Sequence, residues 1–385
     1  MNRVPELDGI RALAALAVVM IHAYPGSLAL GWSAVDCFFV LSGFLITGIL
    51  LRNRNDPRML LNFWIRRGLR IWPIYYITIF GLLTVFFIFG RDEPVTTIVQ
   101  TLTYTQNIQG YFGVGSDRQL GSFHHAWTLA IEEQYYCIWP IVILLCGRRK
   151  VTAISIFLLV LPSILRFVGI SSGLLLTRCD GFALGALLAI LFNDPATAGR
   201  PKLRAGLFAA TVVASLVAVC YIYIINISDS GGMVQTARTK NLLIPLLSAL
   251  YFGIIGLAYQ FRGSSATAFL RIRPLTYLGL ISYGFYLYHI PIIELSEVFM
   301  NKYPYFAGFY PPKGGLWRGV INISISLAAA ASSWRFIESP ILSLKDRFQY
   351  AKPSDQIVLS SDDRIASSRI ATRRETEESK AIDPA

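Results

Sequence analysis

Residues 34–51 read AVDCFFVLSGFLITGILL, an apolar run in which Asp36 is the only charged side chain. A helix needs roughly 20 apolar residues to cross a bilayer core of about 30 Å. The same character continues along the chain, because its 385 residues are 54% hydrophobic and only 15% charged, whereas soluble domains carry about 25% charged residues. This composition excludes a disordered chain, a disulfide scaffold and a coiled coil, and it predicts a polytopic membrane protein.

Apolar runs recur along the chain and are continuous rather than alternating, which favours helices over a barrel. The first run has no clear cleavage site, so we treat it as a retained helix and not as a removable signal peptide. We therefore predict an all-α integral membrane protein with about ten transmembrane helices. The predicted spans are 9–28, 34–51, 71–90, 128–146, 151–170, 172–192, 206–226, 241–261, 274–298 and 316–341.

The basic residues between the spans predict that both termini are cytoplasmic. With the N-terminus inside, the inward loops hold fifteen of these basic residues, six of them in the 52–70 loop, and the outward loops hold six. The inward excess either sets topology and contacts anionic lipid or binds a phosphate-rich ligand. It lacks the soluble module that nucleic-acid binding needs, so no nucleic-acid partner is expected. Residues 1–345 are expected to form the membrane domain, and residues 346–385 a polar, disordered cytoplasmic tail.

Ionisable side chains inside the spans are candidate site residues, because each one costs several kcal/mol in lipid. Arg11 and His22 fall on one stripe of the first helix, about 16 Å apart along its axis. This spacing suits a long ligand with a charged head, or else an anchoring arginine and a satisfied core histidine. Five polar groups fall at a similar depth in the outer half, which predicts a shared polar chamber: His22, Asp36, Glu132, Asp180 and His289.

Seven segments between residues 7 and 341 resemble, in order, the membrane-bound acyltransferase-3 family. LDGIRALAALAVVMIHA at 7–23 resembles its opening helix, which is marked by an arginine and a histidine, here Arg11 and His22. FWIRRGLRIWPIYY at 63–76 resembles its cytoplasmic Arg-x-x-Arg segment. The other similar segments are VDCFFVLSGFLITGILL at 35–51, HAWTLAIEEQYYCIWP at 125–140, RCDGFALGALLA at 178–189, SYGFYLYHIPI at 282–292 and RFIESPI at 335–341.

The resemblance implies a ten-helix enzyme of the bacterial inner (plasma) membrane. Such enzymes move an acyl group, often acetyl, from cytoplasmic acyl-CoA to a carbohydrate hydroxyl of a surface or exported glycan, and we expect a glycan or a lipid-linked sugar as acceptor. Some members acylate small molecules such as macrolides instead. Many members carry a further extracytoplasmic domain, whereas a short polar tail follows the spans here, so a second transfer step would need a separate partner. Acyl-CoA, expected to be acetyl-CoA, is a substrate, and no permanently bound cofactor or metal is expected.

Acyl transfer to an alcohol needs a base for the hydroxyl proton and a site that holds the thioester. We assign the base to His22, because an imidazole titrates near neutral pH, and we expect Glu132 to orient it as in a catalytic triad. Direct transfer and a covalent acyl-His22 both stay open. Arg67 and Arg70 are expected to bind CoA phosphates, since guanidinium pairs bidentately with phosphate. The other candidate binding residues, each with an alternative in anchoring, packing or ion pairing, are Arg11, Arg66, Asp36, Trp127, Arg178, Asp180 and His289.

Two other classes fit parts of the sequence. A secondary transporter also buries charges among many helices, but it predicts inverted repeats and interrupted helices. No clear repeat relates the two halves, although Pro162, Pro245 and Pro291 fall within spans. A membrane acyltransferase that modifies lipids or proteins would share a lone histidine in an apolar helix, but not the opening arginine–histidine spacing. The absence of a Gly-x-Ser-x-Gly elbow and of a phosphate-binding glycine loop argues against a serine nucleophile and an ATP-driven pump.

Overall fold

The computed structural model describes six stretches of the chain, and every regular element in them is helical: 3–90, 94–108, 121–230, 237–303, 305 and 315–350. The α-helices of these residues are α1 Pro5–Ala23, α2 Ala34–Arg52, α3 Met59–Ile88, α4 Val95–Leu102, α5 Trp127–Leu145, α6 Arg148–Phe167, α7 Cys179–Phe192, α8 Pro195–Ala198, α9 Pro201–Ser230, α10 Ala237–Gln260, α11 Arg273–Lys302, α12 Leu316–Ser333 and α13 Ser339–Ser343. Short 3-10 turns occupy Gly31–Ser33, Gly121–Ala126, Leu175–Thr177, Ser265–Arg271 and Leu344–Arg347, and a π-helical turn, Trp334–Glu338, joins α12 to α13.

Eight helices of the described residues are long and apolar enough to cross a bilayer. The prediction of an all-α polytopic membrane protein is therefore confirmed, while the orientation of the termini stays a prediction. The remaining two of the ten predicted spans are also helical. Of these, α1 has 19 residues but carries Glu6, Asp8 and Arg11. The other, α7, has 14 residues, which is about 21 Å of helix at 1.5 Å per residue.

The first helix ends at Ala23 and not at residue 28, but the largest difference from a predicted boundary is at the start of α3. This helix begins at Met59 and not at residue 71, so Arg66, Arg67 and Arg70 lie on a helix rather than in a loop. The charges of this segment suggested a loop. However, arginine and leucine are good helix formers, and no glycine or proline interrupts the first two turns. The arginines and the apolar span therefore lie on one continuous helix, α3.

A second boundary differs at α7. The predicted span 172–192 is helical only from Cys179, because the residues before it form turns, including Leu175–Thr177. Ser171, Ser172 and Gly173 open this segment, and serine and glycine favour turns.

Proline does not interrupt the long helices. Pro162, Pro245 and Pro291 lie inside α6, α10 and α11, each of which continues through its proline. The broken helices that a transporter would place at paired positions are not found at these prolines.

Glycines set the closest helix contacts of the bundle. A Cβ added at Gly43 would lie 2.2 Å from the carbonyl oxygen of Phe182, and one at Gly185 would lie 2.1 Å from that of Val40. These contacts pack α2 against α7 backbone to backbone, which small residues permit in membranes. Between α1 and α11, a Cβ at Gly279 would lie 2.0 Å from a carbonyl oxygen of α1. The close packing of α2 with α7 and of α1 with α11 therefore fixes the positions of the polar side chains that these helices carry.

We call one side of the bundle the basic face, defined as the side at which α1, α3, α6, α9 and α11 begin. The residues after α13 pack there against α3, where Asn62 Nδ2 donates to the carbonyl oxygen of Gln349 at 3.0 Å. Residues 346–350, which the sequence assigns to the tail, therefore pack against the bundle. The rest of the predicted tail, residues 351–385, lies outside the described residues.

Candidate active site

A cavity lies between α1, α2, α3, α5 and α11. Its charged lining residues are Arg11, Arg67, Arg70 and Glu132. Hydroxyl groups and an apolar wall of aromatic and aliphatic side chains complete the lining. A cavity that is mostly apolar and has a few converging polar groups is typical of a small-molecule site.

Helical periodicity explains why these side chains converge. Arg67 and Arg70 are three residues apart on α3, and Thr128 and Glu132 are four apart on α5, so each pair shares one helix face. Arg11 reaches the same cavity from the second turn of α1. The arginine side of the cavity is therefore built from two helices that both begin at the basic face.

A chain of hydrogen bonds joins an arginine to the carboxylate of the cavity. Arg67 Nη2 donates to the hydroxyl of Tyr136 at 2.5 Å, and its guanidinium lies 4.1 Å from the centroid of that ring. The Tyr136 and Ser42 hydroxyls are 3.1 Å apart, and Ser42 donates to Glu132 Oε1 at 2.9 Å. Each hydroxyl can therefore donate once and accept once, in the order Arg67, Tyr136, Ser42, Glu132.

A histidine cluster, His22, His125 and His289, lies beside the cavity. His289 Nε2 is 3.2 Å from His22 Nδ1, and the centroids of the His125 and His289 rings are 4.8 Å apart. Two cavity-lining residues connect to the cluster, since the Tyr286 hydroxyl donates to the carbonyl oxygen of His125 at 2.9 Å and lies 2.7 Å from the Thr128 hydroxyl. The imidazoles therefore lie next to the cavity, on α1, on α11 and before α5.

Two buried ion pairs lie where α2 and α7 begin. Arg178 Nη2 is 2.7 Å from Asp36 Oδ1, and Arg166 Nη2 is 2.8 Å from Asp180 Oδ2, with all four side chains at most 3% exposed. The Arg178 guanidinium also lies 5.6 Å from the centroid of the Trp127 ring. Pairing lowers the cost of charge at this depth, which accounts structurally for three of the predicted binding residues, Asp36, Arg178 and Asp180.

Arg66 points away from the cavity and holds the end of the described chain. Its Nη1 donates to the carbonyl oxygens of Lys345 at 3.1 Å and Phe348 at 3.0 Å, and its guanidinium lies 5.7 Å from the centroid of the Tyr350 ring. Burial raises the pKa of Tyr350 to about 12, so that phenol is neutral at physiological pH. Among the residues described, those that line the cavity do not include Arg66.

The structure distributes the predicted site residues over separate places instead of one shared chamber. Arg11, Arg67, Arg70 and Glu132 line the cavity, His22 and His289 belong to the histidine cluster, and the ion pairs take up Asp36, Arg178 and Asp180. The Glu132 carboxylate accepts a hydrogen bond from Ser42, whereas His22 Nδ1 lies 2.8 Å from the carbonyl oxygen of Val18 and 3.2 Å from His289 Nε2. An interaction between Glu132 and His22 stays a prediction.

Four residues that the structure places at or beside the site were not selected from the sequence. Arg166 is the only charged residue of the predicted span 151–170, so the cost of a lone charge in lipid was a signal for it. His125 stands at the start of a family segment. Ser42 and Tyr136 gave no comparable signal, because buried hydroxyls are common in apolar helices. Within the described stretches, no group of three or more His, Cys, Asp or Glu side chains is placed to hold a metal ion.

Comparison with known proteins identifies a family and several proteins to which this chain is similar. A family model described as an acyltransferase domain matches residues 4–334. The chain is 28% identical over 366 residues to peptidoglycan O-acetyltransferase OatA of Listeria monocytogenes, an alignment that covers 88% of this chain and 56% of that protein. It is 29% identical over 371 residues to putative peptidoglycan O-acetyltransferase YrhL of Bacillus subtilis, with 88% and 55% covered. For O-acetyltransferase OatA of Staphylococcus aureus the identity is 30% over 363 residues, with 88% and 57% covered.

The chain thus spans little more than half the length of these curated relatives. No solved structure matches it. The fold and the family match together define a membrane-embedded acyltransferase domain. The chain belongs to the membrane-bound acyltransferase-3 family, so the resemblance seen in its sequence is confirmed.

Proposed function

We propose that this protein is a membrane O-acyltransferase that moves an acyl group, expected to be acetyl, from acyl-CoA to a carbohydrate hydroxyl of a surface or exported glycan. The names of two relatives make peptidoglycan the first acceptor to test. The observation that carries the proposal is an arginine-lined cavity with a cluster of three imidazoles beside it, of which His125 and His289 are buried and His22 is half-buried. This pairing supplies both needs of the reaction, a site for an anionic carrier and a base for a hydroxyl.

The donor site is argued from charge. The cavity lining holds three guanidiniums against one carboxylate, and an excess of cations in a low-dielectric site favours an anionic ligand. Arg67 and Arg70 would pair with the phosphates of CoA, which guanidinium binds bidentately. The apolar wall would accept the pantetheine arm. Arg11, on the neighbouring helix, would contact the same headgroup.

The chemistry is argued from the imidazole. His22 would take the proton of the acceptor hydroxyl while the hydroxyl oxygen attacks the thioester carbonyl. The C–O bond forms, the C–S bond breaks, and the departing thiolate receives the proton from His22. Glu132, held by Ser42, would balance the arginines through the hydrogen-bond chain to Arg67. Its direct use as a partner of His22 would instead require the carboxylate to leave Ser42.

The proposed arrangement has the basic face in the cytoplasm, where acyl-CoA is made, and the protein in the bacterial inner membrane. The positive-inside pattern supports this orientation. The histidine cluster lies nearer the other side, which is the side on which an exported glycan is found. A separate extracytoplasmic partner would then deliver the acceptor or complete the transfer.

The test uses the full chain in liposomes, with acetyl-CoA labelled in its acetyl group and a peptidoglycan oligomer as acceptor. We expect base-labile label in the glycan and its loss by at least about 10²-fold in His22→Ala. The Arg67→Gln/Arg70→Gln protein should raise the donor KM by about 10²-fold, since one hydrogen bond to a charged group contributes about 1.5–3 kcal/mol. Arg66→Gln is the matched control, from the same helix but outside the cavity lining, and should leave the donor KM unchanged.

Other outcomes would redirect the proposal. Normal transfer by His22→Ala would remove that residue from the mechanism. An unchanged donor KM in the double arginine variant would exclude the arginines as the acyl-CoA site. Label transferred to a macrolide but not to any glycan would assign a small-molecule acceptor, and uptake of a solute without any ester formed would favour a transporter.

A further inference from the structure

We propose that His289 is a positioning residue that fixes the tautomer of His22 and accepts part of the positive charge formed there. This inference rests on the proposed function, in which His22 is the base. It differs from the expectation that His289 binds substrate. The argument starts from His289 itself, whose side chain is completely buried.

The tautomer of His289 follows from its backbone partner. Its Nδ1 lies 2.5 Å from the carbonyl oxygen of Tyr286, one turn earlier on α11. A carbonyl oxygen only accepts, so Nδ1 must carry the hydrogen. In the neutral ring the other nitrogen, Nε2, is then an acceptor.

The tautomer of His22 follows in turn. The acceptor Nε2 of His289 is 3.2 Å from His22 Nδ1, so the hydrogen between the two rings belongs to His22. The same Nδ1 lies 2.8 Å from the carbonyl oxygen of Val18, which also only accepts. Both neighbours therefore require a protonated Nδ1. The basic lone pair of neutral His22 is then on Nε2, so Nε2 is the nitrogen that would act as the base in the proposed reaction.

The same contact can stabilise the charged intermediate. When Nε2 of His22 takes the acceptor proton, the ring becomes an imidazolium with hydrogens on both nitrogens. Its Nδ1 hydrogen already faces the lone pair of His289 Nε2, so that proton can be shared or passed across. If it passes, His289 is the imidazolium and donates from Nδ1 to the Tyr286 carbonyl. When the thiolate is protonated, the transfer reverses and both rings return to their first state.

A neutral imidazole suits this position better than a carboxylate. An acidic residue beside His22 would bury an anion whenever the histidine is neutral, which is costly at membrane depth. An imidazole accepts the same hydrogen bond without charge. His125, whose ring centroid is 4.8 Å from that of His289, is the other titratable member of the cluster. Its backbone is fixed by Tyr286, the residue whose carbonyl orients His289.

Two near-isosteric substitutions separate positioning from substrate binding. In His289→Gln the longer amide can place its oxygen near the former Nε2, so we expect kcat within about tenfold of the unsubstituted protein. In His289→Asn the shorter amide keeps only the contact to the Tyr286 carbonyl, and we expect kcat to fall by about 10²–10⁴-fold, the contribution that a general base makes. The donor and acceptor KM should stay within about threefold in both. Tyr288→Phe, on the same helix, is the control for general disturbance of α11.

The second readout does not depend on catalysis. In protein labelled with 15N-histidine, the His22 signals should report a protonated Nδ1 in the unsubstituted protein and in His289→Gln, and a mixture of tautomers in His289→Asn. Equal loss of kcat in the two variants, a parallel rise in acceptor KM, or a protonated Nε2 on His22 in the unsubstituted protein would overturn the proposal. Absence of acyl transfer by the unsubstituted protein, with the expected tautomer present, would instead reject the proposed function.

Discussion

Removing one hydroxyl group, in Tyr136→Phe, tests whether the arginine side of the cavity is held in place before the donor binds. The Tyr136 hydroxyl accepts from Arg67 at 2.5 Å and lies 3.1 Å from that of Ser42, while the ring lies under the guanidinium at 4.1 Å. Phenylalanine keeps the ring and removes both hydrogen bonds. Because Arg11 and Arg70 line the same cavity, repulsion between like charges should then move Arg67 away from its present position.

The size of the effect follows from the bond to the charged group. Such a bond contributes about 1.5–3 kcal/mol, which corresponds to roughly 10–150-fold in an equilibrium constant. Tyr136→Phe removes this hydrogen bond from the free protein as well as from the donor-bound protein, so only part of its free energy changes donor binding. We therefore expect the donor Kd to rise by about tenfold, with kcat at saturating donor within about threefold. The assay is titration of labelled acyl-CoA onto the purified chain in detergent, followed by transfer kinetics.

The neighbouring residue provides a matched control. Tyr135 is buried like Tyr136, but its ring stacks on Trp139 and Phe182 and does not line the cavity. Tyr135→Phe should change the donor Kd by less than about threefold. If Tyr136→Phe binds the donor as tightly as the unsubstituted protein, or if both variants weaken binding equally, Tyr136 does not preorganise the cavity.

Three further predictions concern packing, ion pairing and the end of the chain. Gly185→Ala should lower stability by about 1–3 kcal/mol through overpacking against α2, whereas Gly206→Ala, with no atom within 4 Å of its added Cβ, should be neutral or slightly stabilising; thermal melts in detergent compare them, and equal melting temperatures would contradict the close contact. Arg166→Met leaves a buried carboxylate unpaired and should cost about 3–5 kcal/mol. Arg148→Met removes an ion pair in which both side chains are over a third exposed, together with two hydrogen bonds to backbone carbonyls, and should cost less than Arg166→Met; equal losses in unfolding assays would contradict the burial argument. Arg66→Gln should release the segment after α13, seen as faster trypsin cleavage there with donor Kd unchanged, and unchanged cleavage would show that this arginine does not hold it.

The fold could be predicted from the sequence wherever one physical constraint, the bilayer core, dominates. A bilayer core forces continuous apolar helices, so all ten segments were recognisable from hydropathy alone. Boundaries were harder, because the charges of residues 59–70 mark both a loop and the amphipathic start of a helix. Hydropathy cannot separate these two cases. The late start of α7 was missed because Leu174, Leu175 and Leu176 continue the apolar pattern through the turns that precede the helix.

The site was recoverable as a list of residues but not as an arrangement. Depth counting placed His22 and Glu132 at a similar level, yet depth says nothing about rotation around the bundle axis. Helix packing decides that rotation, and here it joins Glu132 to Ser42 and His22 to His289. Ion pairs such as that of Asp180 depend on the reach of a long side chain from another helix, which no spacing rule along the sequence reports.

The short length of α7 has a consequence for the segment that precedes it. About 9 Å of a 30 Å hydrocarbon layer is left for non-helical chain at this point, and backbone without helical hydrogen bonds survives at such depth only when shielded from lipid. Protein side chains provide that shielding, since Arg166 donates to the carbonyl oxygen of Thr177 and Asn107 Nδ2 donates to that of Gly173 at 3.1 Å. No side chain of α7 is exposed, so this short helix lies inside the bundle, and the longer helices around it complete the hydrocarbon layer.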